Sequence, residues 1–451
     1  MLQHNTHVML KQNTRVMLKH NLRGARVALP QKLIDESDTM RWISIMLTML
    51  AFTRLLSAED EISITGQEVK ELQSFDRQIK EFMQKYELPG GTVAVAKDGR
   101  LVYARGFGWA DRKNRAPMQP NALLRIASIS KTFTAAAIMR LVERGRLKLE
   151  EPILPYLKKF GAEEEKNLDP RWRQITLEHL LRHTAGFDRK KSFDPMFIPQ
   201  LPKPPVDQPA IIRYMLGKPL DFDPGTQYVY SNFDYCILGR VIEAATGKSY
   251  EEAVRELVLQ PAGITRMKLG KTRLADRAEG EVIYHPRENE RRYKSVFPEE
   301  KELVEEPYGE FYLEALDAHG GWIASAIDLV RFAAALDGRR SPRLLKPESL
   351  EKIESLSDPP IYANKDKNRF YGLGWVICPQ PDGNKNWFHD GLLAGTRTLL
   401  IRAHDGLAMA ALFNGQPAEK GNFYAELDQS LWKAAGEVDK WPPGDLFSQE
   451  K

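Results

Sequence analysis

The sequence predicts an α/β protein in which one sheet domain, assembled from both ends of the chain, is interrupted by an α-helical domain. Three observations carry that expectation. Strand-like segments stand near the front, at 92–96 and 101–108. They return only late, at 372–378, 386–388, 396–402 and 408–413. Between the two groups, from Ser128 to about residue 265, the apolar pattern is mainly helical. With 451 residues, 42% hydrophobic and 28% charged, the chain has the composition of an ordinary globular protein with a large core.

The first segment differs from the rest. His4-Asn-Thr-His-Val-Met-Leu-Lys11 is nearly repeated as Gln12-Asn-Thr-Arg-Val-Met-Leu-Lys19, so 1–39 reads as a low-complexity or untranslated leader. Met40-Arg41, the apolar run Trp42 to Phe52 and the small residues Ser57-Ala58 match a signal peptide over 40–58. A secreted or periplasmic protein is expected; Arg54 in the cleavage region keeps an uncleaved membrane anchor as the alternative. Up to Ala58 there are eight Lys/Arg and three Asp/Glu, about +5, against +4 for the whole chain. The remainder is thus about −1, which gives no electrostatic case for nucleic acid.

An amphipathic helix follows over 66–86 (Val69, Leu72, Phe75, Ile79, Phe82), closed by Leu88-Pro-Gly-Gly91. Lys97-Asp-Gly-Arg100 joins the first two strands as a hairpin. Residues 270–315 are highly charged and read as a surface insertion or flap, and a closing helix runs over about 423–435. The expected division is a sheet domain of 66–125 and 310–437 and a helical domain of 126–309, with the active-site cleft at their junction. Cys236 and Cys378 lie far apart in apolar segments and read as buried free thiols.

Chemistry concentrates in three short motifs. Ser128-Ile-Ser-Lys131 opens a helical run that Arg144-Gly145 stops, so a hydroxyl and an amine share one helix face. A serine needs such a neighbour to take its proton, and a helix N-terminus favours developing negative charge. Tyr230-Ser-Asn232 follows the turn Asp223-Pro-Gly-Thr226 and precedes a helix. His389-Asp-Gly391 follows the strand 386–388. Each motif has decoys: Ser349-Leu-Glu-Lys352, Tyr362-Ala-Asn364, His319-Gly-Gly321, and His404-Asp-Gly406, which reads as a hairpin turn. His179 and His183 stand at the i, i+4 spacing of zinc ligands, but the motif lacks the glutamate of H-E-x-x-H and no third ligand is evident in the sequence. Packed, hydrogen-bonded histidines are the expected reading there.

Leu124-Arg-Ile-Ala-Ser-Ile-Ser-Lys-Thr-Phe-Thr-Ala135, Tyr230-Ser-Asn-Phe-Asp-Tyr-Cys-Ile-Leu-Gly239 and His389-Asp-Gly391 resemble the three signatures of the serine β-lactamase and penicillin-binding-protein superfamily, in its class C-like branch. Leu180-Leu-Arg-His-Thr-Ala-Gly186, Gly320-Gly321 and Tyr371-Gly-Leu-Gly-Trp375 resemble the family too, so the likeness spans about 75–435. The resemblance implies an antiparallel sheet flanked by helices with an inserted all-α domain. It also implies an acyl-enzyme on Ser128, with Lys131 and Tyr230 sharing the base and acid work. Asn232 is then expected to hold the substrate amide. The backbone N–H groups of Ser128 and Leu392 form the oxyanion hole, and Gly391 lets the acyl chain approach its strand.

His389 departs from the lysine usual in β-lactamases and D,D-peptidases. Lysine pairs with a substrate carboxylate, whereas histidine is mostly neutral at pH 7. Esters or D-amino-acid peptides lacking that carboxylate are therefore expected ahead of β-lactams, with Arg397 as a further anion partner or a structural charge. The alternatives are a β-lactamase or D,D-carboxypeptidase, and a cell-wall-peptide binding protein of the same fold without turnover. No metal or organic cofactor is expected. The expected partner is a small-molecule or peptide substrate, with a membrane involved only if the leader is uncleaved.

Overall fold

The protein is described here by a computed structural model covering residues 62–163, 165–190, 206–286, 292–417 and 421–449. The expected leader (1–39) and signal segment (40–58) lie outside the described residues.

Strands β1 (Ile64–Thr65), β2 (Gly90–Lys97) and β3 (Arg100–Asp111) come first; β4 (Phe370–Tyr371), β5 (Val376–Pro379), β6 (Lys385–Leu393), β7 (Thr396–Arg402) and β8 (Leu407–Phe413) come late. They form one antiparallel sheet in the order β1-β3-β2-β8-β7-β6-β5-β4, with Ala116–Pro117 paired on β3 as a ninth strand. β2 pairs directly with β8, Ala94 opposite Ala410, so the two ends of the chain meet inside the sheet. The turn between β2 and β3 is built on Asp98 and Gly99, both with φ > 0, as an Asp-Gly hairpin requires.

The principal helices are α1 (Gln73–Tyr86), α2 (Ser130–Glu143), α3 (Leu177–Leu181), α4 (Asn232–Thr246), α5 (Ala326–Leu336) and α6 (Phe423–Gly436). Both sheet faces are covered. Val93, Val95, Met409 and Phe413 pack with Phe75, Phe82 and Leu427 of α1 and α6. Their neighbours Ala94, Ala96, Ala408 and Ala410 join a larger core with α2, α4 and α5. That explains why β8 reads Leu-Ala-Met-Ala-Ala-Leu-Phe: each residue is buried, and strand alternation sends it to one apolar face or the other. Among the described residues no helix is long and apolar enough to cross a membrane.

Three local expectations need correction. The first helix begins at Gln73 rather than near 66. Ile64 and Thr65 pair with β3, Val69 is extended (φ −124°, ψ 106°), and the chain enters α1 through a 3-10 turn at Lys70–Leu72. β6 does not end before His389 but runs through it to Leu393. The described part of 270–315, read as a surface insertion or flap, does not all lie on the surface: Val282, Tyr284, Tyr308 and Leu313 are buried. The buried Arg125 holds it, donating to the carbonyls of Pro307 (2.7 Å) and Lys271 (2.9 Å) beneath the Tyr284 ring.

Candidate active site

Ser128 sits in a single 3-10 turn, Ala127–Ile129, that leads into α2. Ala127 takes φ +49°, a left-handed conformation that costs a residue with a Cβ. The turn is pinned from both sides. Ile126 N–H donates to the Trp322 carbonyl at 3.0 Å, and Thr398 Oγ1 on β7 donates to the Ile126 carbonyl at 3.0 Å.

One helical turn on, Lys131 is fully buried. Its Nζ lies 3.1 Å from Ser128 Oγ, 2.9 Å from Asn232 Oδ1 and 2.9 Å from the His319 carbonyl. Asn232 is the first residue of α4, whose N-cap Ser231 accepts from the Asp234 N–H. The Tyr230 ring stands 4.8 Å from Lys131 Nζ, and its hydroxyl hydrogen-bonds Ser128. Burial holds the Tyr230 phenol well above its usual range, so it is protonated at neutral pH.

His389 enters from β6 and is 2% exposed. Its Nδ1 faces the Asp390 carbonyl at 2.7 Å, so that nitrogen carries the proton; Nε2 then accepts from the Tyr371 hydroxyl at 2.9 Å. Burial, helped by nearby Lys131, lowers its pKa to about 3. The ring is therefore neutral with both nitrogens engaged. Arg397 is mostly buried, and its Nη1 donates to the Leu393 and Thr396 carbonyls at the β6–β7 turn.

Gly391 is buried against the nucleophile's own turn. A Cβ there would overlap Thr398 Oγ1 and the Ile126 carbonyl and lie 3.1 Å from Ala127 Cβ. Glycine is thus needed for the strand to approach the turn, whatever room it also leaves for an acyl chain. Leu392 is 54% exposed beside it. The Ala403 N–H donates to Leu407 O, which fixes the odd residues of β7 on β8 and its even residues on β6. Leu392, opposite Arg397, therefore turns its N–H away from β7. β5 pairs only as far as Phe388, so that edge of β6 is open at Leu392.

Three contributors escaped the sequence reading. The His319 carbonyl belongs to a motif read as a decoy, and a backbone oxygen has no letter to announce it. Tyr371 lay in a stretch noted only as a likeness. His183, weighed as a metal ligand, has φ +59° and lies beyond the end of α3. The i, i+4 face it needed with His179 does not exist. His179 Nδ1 instead accepts from the Thr176 N–H at 3.3 Å, while His183 Nδ1 meets Asp234 Oδ2 at 3.0 Å behind Tyr230. Among the described residues no group of three or more His, Cys, Asp or Glu could hold a metal ion.

A family model described as Beta-lactamase matches residues 75–430. Penicillin-binding protein 4* of Bacillus subtilis is 28% identical over 359 residues, covering 79% of this chain and 73% of that protein. Esterase EstB of Burkholderia gladioli is 33% identical over 202 residues, 42% of this chain and 48% of that one. Among solved structures, the octameric penicillin-binding protein homologue from Pyrococcus abyssi superposes with a TM-score of 0.59 at 27% identity, covering 81% of this chain and 78% of its own. The fold is accordingly β-lactamase/transpeptidase-like.

Proposed function

The chain belongs to the β-lactamase family, and from that premise we propose a serine hydrolase that forms an acyl-enzyme on Ser128 and acts on esters or on D-amino-acid amides and peptides. The observation that carries this reading is the 3.1 Å contact between Lys131 Nζ and Ser128 Oγ. An uncharged amine has two N–H donors for Asn232 Oδ1 and the His319 carbonyl and one lone pair for the serine proton. Tyr230, held as a phenol, is a poor base; it passes its proton to the leaving group and is reprotonated from Lys131. The N–H groups of Ser128 and Leu392 stabilise the oxyanion, a contribution of about 3 kcal/mol per donor in such sites. Asn232 orients the acyl group.

The substrate preference rests on His389. A neutral ring with both nitrogens bonded inside the protein offers a substrate carboxylate no charge. That supports an uncharged ester or amide over a β-lactam. Relatives named as an esterase and a penicillin-binding protein fit either class. One observation favours a second reading: the exposed Arg189 guanidinium stands 5.7 Å from the Tyr230 ring and could receive an anionic substrate at the rim. Export through the segment beginning at Met40 is part of the same proposal, and N-terminal sequencing of secreted protein tests it.

The test of the activity is a panel of p-nitrophenyl esters, D-alanyl amides and nitrocefin, each run beside Ser128→Ala. Turnover of the uncharged donors ahead of nitrocefin, abolished in the variant, is the expected pattern. Nitrocefin as the preferred substrate would favour the rim arginine instead, and residual turnover in Ser128→Ala would defeat the acyl-enzyme.

A further inference from the structure

Behind Tyr230 lies a buried pair that the catalytic scheme has not used. His183 is fully buried and Asp234 is 1% exposed. His183 Nδ1 has two neighbours, the Ser231 N–H at 3.3 Å and Asp234 Oδ2 at 3.0 Å. A backbone N–H can only donate, so Nδ1 is an acceptor. A carboxyl oxygen 3.0 Å from an accepting nitrogen must bring the proton itself. The remaining polar atoms agree. Among the described residues Asp234 Oδ1 and His183 Nε2 have no hydrogen-bond partner, which a neutral acid and a neutral imidazole tolerate far better than an ionised pair.

We propose that Asp234 rests as a neutral carboxylic acid donating to His183 Nδ1, and that its lack of charge is what lets the nearby Lys131 rest as an uncharged amine. The second half deepens the acyl-enzyme reading and rests on it; the first half does not. Asp234 is a positioning residue, since it acts through Lys131. An ionised Asp234 in the same enclosure would attract a proton onto Lys131 and remove the lone pair that Ser128 needs. During acylation Ser128 Oγ gives its proton to Lys131 Nζ as Oγ bonds the acyl carbon, and the carbonyl electron pair moves onto its oxygen. The proton on Asp234 stays where it is.

The groups facing the pair are consistent with a neutral acid. Burial is the first cause and holds the Asp234 carboxyl well above its usual range, outweighing the Ser231 hydroxyl and even a charged Lys131, both of which would favour ionisation. Tyr228, Tyr230, Tyr235 and Tyr371 surround His183 with neutral phenols, all raised chiefly by burial. Burial is the first cause keeping His183 itself uncharged.

Two substitutions and one spectrum test this. Asp234→Leu leaves Nδ1 with only the longer contact from the Ser231 N–H and lowers kcat at least tenfold, whereas Asp234→Asn still offers a hydrogen and recovers most of the loss, with the acid limb of the pH profile unmoved. An acid limb that moves down by a pH unit or more in Asp234→Asn overturns the proposal, because an anion supporting the charge on Lys131 has then been removed. Stability gives an independent reading. A carboxyl whose folded pKa is raised stabilises fully at low pH, and that contribution is lost as pH rises above its unfolded value of about 3.9. The thermal midpoint of Asp234→Asn relative to the unaltered protein therefore climbs from pH 5 to pH 8; a decline contradicts the assignment. Should neither variant fold, imidazole nitrogen NMR of the intact chain decides: Nδ1 of His183 without a proton is expected, and a protonated Nδ1 overturns the proposal. The NMR and stability readings do not need turnover, and repeating them in Ser128→Ala separates failure here from failure of the acyl-enzyme.

Discussion

Tyr371 shows how a side chain outside the reacting set shapes what the site accepts. Its hydroxyl occupies His389 Nε2, and the Asp390 carbonyl occupies Nδ1, so the imidazole is locked in one tautomer. Tyr371→Phe leaves a buried ring nitrogen without its donor, which costs about 1–3 kcal/mol. The expected result in urea is a lower unfolding midpoint with an unchanged m-value. An unaltered midpoint would mean that another donor takes over the nitrogen. Residues of this kind are hard to find by spacing. Ser128 and Lys131 were legible because three residues along a helix fix their separation. The Tyr371–His389 contact joins β4 to β6 and has no such ruler.

The β6 strand and the nucleophile turn work as one unit. β6 carries His389, Gly391 and Leu392, and Thr398 of the adjacent β7 holds the Ile126 carbonyl two residues before Ser128. Gly391→Ala would force a Cβ into Thr398 Oγ1 and the Ile126 carbonyl. Overpacking of this sort costs about 1–3 kcal/mol. Because the strain falls on the turn, kcat should drop more than KM rises. Steady-state kinetics beside a denaturation curve check both; a stable, fully active variant would show that the turn does not need this close approach. The elements were legible to unequal degrees. The β2–β3 hairpin was readable from its Asp-Gly turn, and α2 from its helix formers and its Arg144-Gly145 stop. The start of α1 and the end of α3 were not, because the pairing of Ile64–Thr65 with β3 and the left-handed φ of His183 follow from tertiary packing.

The sheet closes by pairing β2 with β8, so the candidate site depends on strands contributed by both ends of the chain. Buried titratable groups make that assembly sensitive to pH. His183, His319 and His389 are each at most 2% exposed, and burial is the first cause holding each below the usual histidine range. The unfolded chain then binds more protons than the folded one below about pH 6.5. Stability supplied by these neutral rings is present above that pH and is lost as pH falls, down to about 3 for His389. Asp234, Asp390 and Asp428, whose carboxyls burial raises, oppose this, while His179 and His285 are lowered by burial in the same sense as the three rings. A thermal midpoint that declines steadily from pH 7.5 to pH 5 is expected; a flat profile would mean that the rings are not buried neutral.

The most direct measurement is mass spectrometry of the intact protein after brief exposure to a p-nitrophenyl ester, followed by peptide mapping. A mass increase equal to the acyl group, located on the peptide containing Ser128 and missing in Ser128→Ala, is what this account requires. An adduct on another residue, or efficient hydrolysis with no acylated species under rapid acid quench at saturating ester, would contradict it.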